Sequence, residues 1–342
     1  MAEARVVRPQ FTGSAAEYFR IWIVNLFFTL VTLGIYSAWA KVRKKRYFYG
    51  STRLDGDSFD YFASPKAILN GRIVAVAVFI AYALLGQLYP ISSFVFWGLA
   101  AVLLPWLVLR ALTFNARNSS WRGLRFDFSG RMKEAVKLYI GMSLLVIVTF
   151  GLAVPLFIAR YRQFVLSNHL LGATPIACRI PDGKFFVIYI KATLIMLAMM
   201  IPVGALLYTM AFRMHDLPQW AAWATFIVPM VLFYLIYAVT YAYTQARTAN
   251  LMWSNTTAPG VRFQCTLSAR RLGKLYLGNL AAAALSAGLL IPWAVVRTLR
   301  YRLENFAMIV DAEVVHEASP SLARVGATGQ ELGDIFNLDL GL

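Results

Sequence analysis

Six stretches of the chain contain no Asp, Glu, Lys or Arg, and strongly basic segments separate them. The six are residues 21–40, 73–109, 138–159, 192–212, 217–246 and 275–296. A helix needs about 20 apolar residues to cross the hydrocarbon core of a bilayer. The run 73–109 is too long for one helix and contains Tyr89-Pro90, so it predicts a helical hairpin. The runs 192–212 and 217–246 are joined by a short polar link and predict a second hairpin over 192–246. The two hairpins give four membrane-spanning helices.

The other three runs, 21–40, 138–159 and 275–296, are interrupted near their middles. The interrupting residues are Gly34 in the first run, Gly151 and Pro155 in the second, and Gly288 and Pro292 in the third. Glycine weakens a helix and proline breaks it. Two interpretations follow: either these runs are kinked helices that cross fully, giving seven spans, or they enter the membrane and return.

The distribution of Lys and Arg favours the re-entrant interpretation. Cytoplasmic loops of membrane proteins carry an excess of these residues. If the three interrupted runs crossed fully, the basic clusters would be divided between the two sides of the membrane. If they are re-entrant, every Lys and Arg except Arg213 lies on one side. The sequence therefore predicts a multi-pass protein of the bacterial inner membrane with cytoplasmic N- and C-termini. The polar first ten residues predict no cleavable signal peptide.

The three interrupted runs also resemble one another in sequence. A shift of 117 residues matches the first run to the second, and a further shift of 137 matches the second to the third. The matched sets are Arg8, Gly34 and Arg43 with Arg125, Gly151 and Arg160, and then Arg125, Gly151, Pro155 and Arg160 with Arg262, Gly288, Pro292 and Arg297. The predicted fold is an all-α polytopic membrane protein with three internal repeats in a pseudo-threefold arrangement. The repeats are residues 1–124, 125–261 and 262–317, the third without a hairpin, and a flexible tail follows at 318–342.

Polar segments beside the interrupted runs predict a small β-containing layer on the cytoplasmic side. They are residues 8–13, 125–130 and 262–267 before the runs, and 47–61 and 306–315 after them. The end of the tail, from Glu331 to Leu342, mixes acidic and apolar residues. It is either a docking peptide for a protein partner or for its own chain, or an idle tail.

Composition excludes a soluble protein. Hydrophobic residues make up 59% of the 342 residues and charged residues only 14%, against about 25% charged in soluble domains. The formal net charge is +17, which suits an anionic surface. Long apolar runs between the basic clusters favour anionic membrane lipids and exclude nucleic acid as the partner.

The segment from Thr32 to Arg43 (TLGIYSAWAKVR), with Arg46-Tyr47-Phe48-Tyr49-Gly50 after it, resembles the YjgN family of bacterial inner-membrane proteins. The later segment IPWAVVR at 291–297 and the LDLGL ending are similar too. The resemblance spans essentially the whole chain. It implies an inner-membrane location and this architecture, and it implies no substrate, cofactor or catalytic residue. In the first copy Ala38 stands where the other two copies have proline, which predicts a softer first break.

The sequence contains no motif typical of catalysis or metal binding. The three histidines, His169, His215 and His316, are far apart and show no metal-ligand spacing, and no nucleotide-binding loop or nucleophile elbow is present. The acids Asp55, Asp57 and Asp60 are interpreted as solvated turn residues. We therefore expect no enzyme activity, no catalytic residue, no metal and no cofactor.

One set of residues suggests a ligand. Arg43, Arg160 and Arg297 each follow the interrupting glycine by nine positions. Under pseudo-threefold packing they would converge at the cytoplasmic boundary and bind phosphate or carboxylate. The alternative is that they are interface anchors that reach towards lipid headgroups. Likewise, Asn25 and Asn279 either link helices by hydrogen bonds or contact a ligand.

Two functional hypotheses follow from these observations. The first is a transport or channel-like module, or a lipid-binding module, for an anionic or amphiphilic ligand. The alternative is a non-transporting membrane scaffold that docks a partner through its basic face and residues 331–342.

Overall fold

The computed structural model describes residues 5–89, 91–212 and 219–311. Arg213 and the predicted tail 318–342, with its segment 331–342, lie outside the described residues. Four long helices form two hairpins: α3 (Pro65–Leu88) with α4 (Ile91–Arg117), and α8 (Asp182–Phe212) with α9 (Gln219–Ser254). Within them, Pro65–Gln87, Ile91–Arg117, Asp182–Met210 and Ile227–Ser254 are long and apolar enough to cross a membrane. The two predicted hairpins and their four spans are confirmed.

Each of the three interrupted runs forms two helices with a turn between them, and we call these pairs the short hairpins. The first consists of α1 (Ala15–Val31) and α2 (Ser37–Gly50). In the second, α5 (Met132–Val136), a π-helical turn (Lys137–Gly141) and α6 (Met142–Val148) precede α7 (Val154–Ser167). The third consists of α10 (Ala269–Leu285) and α11 (Ile291–Glu304). None of the three runs is a single kinked helix.

Contacts at the base of each short hairpin show that the chain returns to where it started. In the first, the Tyr47 hydroxyl donates to the Ser14 carbonyl at 2.8 Å. In the third, the Tyr301 hydroxyl donates to the Ser268 carbonyl at 3.3 Å. In the second, the ring of Phe164 lies 5.8 Å from that of Phe128, which precedes α5. The two ends of each interrupted run therefore lie on the same side of its turn.

The three turns have the same backbone geometry. Two successive residues in each have positive φ: 50° and 93° at Leu33 and Gly34, 49° and 87° at Phe150 and Gly151, and 49° and 89° at Ala287 and Gly288. The glycine N–H donates to the carbonyl five residues earlier at 2.8 Å in all three, as in a Schellman helix end. Pro155 and Pro292 lie in the first turn of the helices that follow. The expectation that Ala38 softens the first break is wrong, because the glycine sets the turn.

In the part of the chain that the structure describes, twelve short antiparallel strands form two sheets at the bases of the hairpins. One sheet has the order β1-β12-β11-β10-β9 and the other β2-β3-β4-β5-β6-β7-β8. The strands are β1 (Arg5–Val7), β2 (Gln10–Phe11), β3 (Thr52–Leu54), β4 (Asp57–Tyr61), β5 (Ser119–Trp121), β6 (Leu124–Phe128), β7 (His169–Leu171), β8 (Thr174–Pro175), β9 (Ala177–Cys178), β10 (Thr256–Ala258), β11 (Val261–Cys265) and β12 (Phe306–Val310). The predicted β-containing layer is confirmed. The prediction for 47–61 is wrong in its first part, because α2 continues to Gly50.

The strand order is cyclic because two chain segments belong to both sheets. Residues 5–11 supply β1 to one sheet and β2 to the other, and residues 174–178 supply β8 and β9 in the same way. A ring of antiparallel strands therefore connects the bases of the hairpins.

The hairpins also pack in a closed order. Helix α2 packs on α3, α4 on α5, α7 on α8, α9 on α10, and α11 on α1. The first two short hairpins each lead, through strands, into a long hairpin. The third short hairpin leads only into β12 within the described residues. Helix α11 therefore packs directly on α1 and β2.

Candidate functional site

A basic groove lies where the third short hairpin meets the first. Its volume is about 630 Å³. Four basic side chains line it, Arg271, Lys274, Arg297 and Arg300, with one acid, Glu304. The apolar part of the wall includes Leu275, Trp293 and Val296. A wall that combines cations with apolar and aromatic groups suits an amphiphilic anion.

Helical spacing produces this wall. On α10, positions i, i+3 and i+4 are occupied by Arg271, Lys274 and Leu275. On α11, positions i, i+3, i+4 and i+7 are occupied by Trp293, Val296, Arg297 and Arg300. Side chains with these spacings lie on one face of a helix. The two faces meet because α10 and α11 form one hairpin, and Ala15 of α1 completes the groove.

Arg297 is held in position by its own hairpin. Its guanidinium carbon lies 4.9 Å from the centre of the Trp293 ring, and its Nη1 donates to Asn279 Oδ1 at 3.4 Å. The Asn279 amide in turn donates to the Thr298 hydroxyl at 2.9 Å. Gly278 leaves room for the guanidinium, since a Cβ there would lie 3.3 Å from Nη1. Asn279 therefore links α10 to α11 and supports the arginine.

Each of the three arginines singled out in the sequence has a different environment. Arg160 forms an ion pair with Asp182 at the start of α8. Arg43 is exposed on α2, and Arg297 lies in the groove. The described contacts do not bring the three together, so convergence at a threefold axis stays a prediction.

The difference between Arg160 and Arg297 follows from the order of elements. Arg160 obtains its carboxylate from the long hairpin that follows its short hairpin. No long hairpin follows the third short hairpin in the described residues, and none of their carboxylates forms an ion pair with Arg297. Arg297 thus faces the open groove with a guanidinium able to bind an external anion.

Sequence reasoning missed Arg271, Lys274 and Arg300 as site residues. For Arg300 the signal was its helical spacing from Trp293 and Arg297 on α11, and for Arg271 and Lys274 it was their spacing of three residues on α10. The Arg300 guanidinium also donates to the Gly13 carbonyl at 3.2 Å and so joins α11 to the first short hairpin.

The clustered acids near Asp55 hold the strand layer together. Arg122 Nε lies 2.5 Å from Asp57 Oδ2, and its Nη2 lies 2.8 Å from Asp55 Oδ2. The hydrogen bond to Asp57 is the main cause that raises the pKa of Arg122. Arg5 pairs with the other oxygen of Asp55 at 2.5 Å. Asp55 and Asp57 are ion-paired, which corrects their interpretation as merely solvated turn residues. Nowhere in residues 5–89, 91–212 and 219–311 do His, Cys, Asp and Glu form a group suited to a metal ion.

Four candidate spans, three short hairpins with apolar tips and a connected strand layer define a polytopic membrane protein. The chain belongs to the family described as "Bacterial protein of unknown function (DUF898)", which matches residues 7–335. It is similar to the inner membrane protein YjgN of Salmonella typhimurium (strain LT2), with 30% identity over 154 residues, 41% of this chain and 39% of the relative. It is also similar to YjgN of Escherichia coli (strain K12), with 32% identity over 129 residues, 36% of this chain and 31% of the relative.

The matched part therefore spans two fifths or less of the length of these curated relatives. No solved structure matches the chain. The inner-membrane location predicted from the sequence is confirmed by the relatives and the four apolar helices.

Proposed function

We propose that this inner-membrane protein is not an enzyme and binds the headgroup of an anionic lipid in the groove between α10, α11 and α1. The observation that carries the proposal is the wall of the groove, where four basic side chains face one acid beside Trp293 and Leu275. Each base near an anionic lipid surface contributes about 1 kcal/mol to binding. A lipid supplies both the phosphate for the bases and an acyl chain for the apolar wall.

The exposed apolar tips of the short hairpins support a lipid ligand. The tips of the short hairpins expose large apolar side chains: Leu33 is 95% exposed, Phe150 98% and Leu285 90%. Such tips are stable in hydrocarbon and costly in water. Helix α1 has 17 residues, about 25 Å at 1.5 Å per residue, less than the roughly 30 Å hydrocarbon core. We place the short hairpins as re-entrant elements dipping from the cytoplasmic side, with the chain termini cytoplasmic.

In this arrangement the groove runs from headgroup level into the membrane. Arg271, Arg300 and Glu304 lie towards the base of the third short hairpin, and Trp293 lies two residues into α11, near the tip. The polar end of the groove then meets the phosphate layer. Its apolar end continues along the buried part of the hairpin.

The same geometry supports three internal repeats as part of the proposal. Each short hairpin has a positive-φ pair at the same position and a hydroxyl that caps the turn: Thr32, Thr149 and Ser286 accept from the backbone four residues on at 2.9, 3.1 and 2.9 Å. Within the described residues no long hairpin follows the third short hairpin, and this is the hairpin that carries the groove.

Replacing both Arg297 and Arg300 by glutamine is expected to weaken binding of an anionic lipid about 30-fold. Two bases at about 1 kcal/mol each correspond to that factor. Retention of phosphatidylglycerol against phosphatidylcholine, measured by native mass spectrometry of the purified protein, checks the result. Gly278→Ala removes no charge but displaces the Arg297 guanidinium, so it should give a smaller loss.

The matched control is Lys44→Gln with Lys66→Gln. It removes the same charge from exposed positions of α2 and α3 and should leave lipid retention unchanged. Equal losses in the control and the groove variant would show that only net charge matters. Unchanged retention in the groove variant would also contradict the proposal.

A further inference from the structure

A second cavity lies in the strand layer, at the base of the second short hairpin, and we call it the strand-layer cavity. Its volume is about 420 Å³. Helix α7 supplies Gln163 and Ser167 to its wall, residues 176–179 in and around β9 form another part, and Asn255 and Thr257 follow α9. The cavity lies at the opposite end of α7 from the apolar turn, which favours a water-soluble ligand.

The same backbone arrangement occurs at the base of the first short hairpin. Tyr61, at the end of β4, pairs with β5, and Cys178, at the end of β9, pairs with β10. The next residue is Phe62 in the first arrangement and Arg179 in the second. Its N–H donates to the carbonyl of the asparagine that follows the long helix, at 2.8 Å and 3.1 Å respectively. The two arrangements can therefore be compared position by position.

The side chains around the strand-layer cavity are smaller than those at the base of the first short hairpin. Arg46 is the tenth of the 14 residues of α2, and its Nε donates to the Tyr61 carbonyl at 3.2 Å. The tenth of the 14 residues of α7 is the shorter Gln163. Along the strand, the residues Phe59, Asp60 and Tyr61 of the first arrangement correspond to Ile176, Ala177 and Cys178. Four smaller side chains thus account for the open volume.

The comparison also shows a cation at the wall of the strand-layer cavity. Phe62, in the first arrangement, lies under the guanidinium of Arg125, 5.4 Å from its ring centre. Arg179, in the second, is exposed, and its guanidinium forms no ion pair or hydrogen bond with another described residue. The residues that line the cavity include no Asp or Glu. A guanidinium beside a cavity wall without carboxylates favours an oxyanion as the ligand.

Gln163 adds a hydrogen-bond acceptor to this wall. Its Oε1 is shielded from solvent, and no described residue donates to it. A buried acceptor without a donor costs free energy, and the last torsion of glutamine is soft, so the amide can turn towards a donor group of a ligand. Ser167 fixes the wall nearby, because its hydroxyl donates to the Cys178 carbonyl at 3.0 Å and accepts from the Cys178 N–H at 3.1 Å.

We infer that the strand-layer cavity binds a small water-soluble molecule that carries an oxyanion and at least one hydroxyl or amino group. Arg179 binds the oxyanion, and Gln163 accepts from the donor group. The volume lies near the lower end of the range of about 300–1,000 Å³ for small-molecule sites, which suits a small metabolite. The bound molecule would connect α7, β9 and β10, and so stabilise the junction at residues 174–178 that belongs to both sheets.

The experiment measures the thermal unfolding midpoint of the purified full-length protein in detergent against the concentration of glycerol 3-phosphate, which carries a phosphate and two hydroxyl groups. All samples carry Arg297→Gln and Arg300→Gln, so that the groove cannot contribute and the lipid proposal is tested separately. We expect the midpoint to rise with concentration as the folded state is occupied. Sodium chloride at equal ionic strength is the control for salt.

Replacing Arg179 tests the cation. Arg179→Gln should weaken the apparent affinity for glycerol 3-phosphate by about 10-fold or more, because a charge-assisted hydrogen bond is lost. Arg179→Lys keeps the charge without the planar fork and should lose less. The matched control is Arg53→Gln, which removes an exposed arginine of β3 and should leave the response unchanged. The midpoint of each variant without glycerol 3-phosphate shows whether it folds.

Gln163→Arg separates binding in the cavity from attraction to a basic surface. It gives α7 the residue that α2 has at the same position, so it adds a positive charge while it fills the cavity. We expect it to abolish the response, whereas attraction to surface charge alone would leave the response equal or larger. The inference is overturned by that result, by a midpoint that does not respond to glycerol 3-phosphate, or by equal losses in Arg53→Gln and Arg179→Gln.

Discussion

Cysteines introduced at Ala16 and Lys44 should both react with a membrane-impermeant maleimide from the cytoplasmic side. Ala16 lies at the start of α1 and Lys44 in the second half of α2, and both are exposed. The contact of Tyr47 with Ser14 places these two regions at the same end of the first short hairpin. A cysteine at Phe150, the tip of the second short hairpin, should react from neither side, because the proposed re-entrant arrangement puts this tip in hydrocarbon. Labelling of intact spheroplasts and of inverted vesicles measures all three.

The control is a cysteine at Ile91, which is 74% exposed at the tip of the first long hairpin and should be labelled only from the periplasmic side. The native thiols give little background, because Cys178 and Cys265 are buried and burial raises the pKa of both, which lowers their thiolate fraction. Labelling of Ala16→Cys and Lys44→Cys from opposite sides would contradict the re-entrant arrangement. Labelling of Phe150→Cys from the periplasm would do the same.

The triple variant Gly34→Ala, Gly151→Ala and Gly288→Ala should be strongly destabilised. These glycines have φ of 93°, 87° and 89°, and a non-glycine residue in such a conformation costs about 1–3 kcal/mol. The turns lie in separate hairpins, so the costs add. Gly34 and Gly151 have no atom within 4 Å of an added Cβ, so there the loss reflects backbone strain alone. The measurement is the unfolding midpoint in detergent, together with the yield of folded protein.

Gly50→Ala is the matched control for these turns. An added Cβ there also meets no atom within 4 Å, but Gly50 ends α2 and does not have positive φ. We expect its stability to stay within about 0.5 kcal/mol of the parent, as for most surface substitutions. A triple variant as stable as the control would show that the turns tolerate alanine and that their geometry is not set by glycine.

The parts of the fold that depend on local sequence could be predicted. Gly34, Gly151 and Gly288 mark the turns because positive φ near 90° is a property of the residue itself. The long apolar runs mark the spans because their length and composition alone are enough for a helix to cross the membrane. The strand prediction at residues 47–50 failed because β-prone aromatic residues are held in helix α2 by packing: the Tyr47 ring stacks on Tyr18 at 5.7 Å.

The candidate site could be predicted only in part. The sequence predicts Arg297 as a site residue because its spacing from Gly288 repeats the spacing of Arg43 and Arg160 from their glycines. The sequence does not predict the ion-pair partner of Arg160, because Asp182 is 22 residues away on a helix whose position depends on tertiary packing. The sequence shows equivalent positions, whereas the structure shows which of them neighbouring hairpins neutralise.

The pairing of β1 with β12 has a consequence for biogenesis. β1 leaves the ribosome before the other described strands, yet it pairs with β12 through Arg5–Val310, Val6–Ile309 and Val7–Met308. Its partner is synthesised some 300 residues later, when the helices between them have already emerged. The seam must therefore close after translation of β12, and until then the unpaired edge of the first strand is open to misassociation between nascent copies.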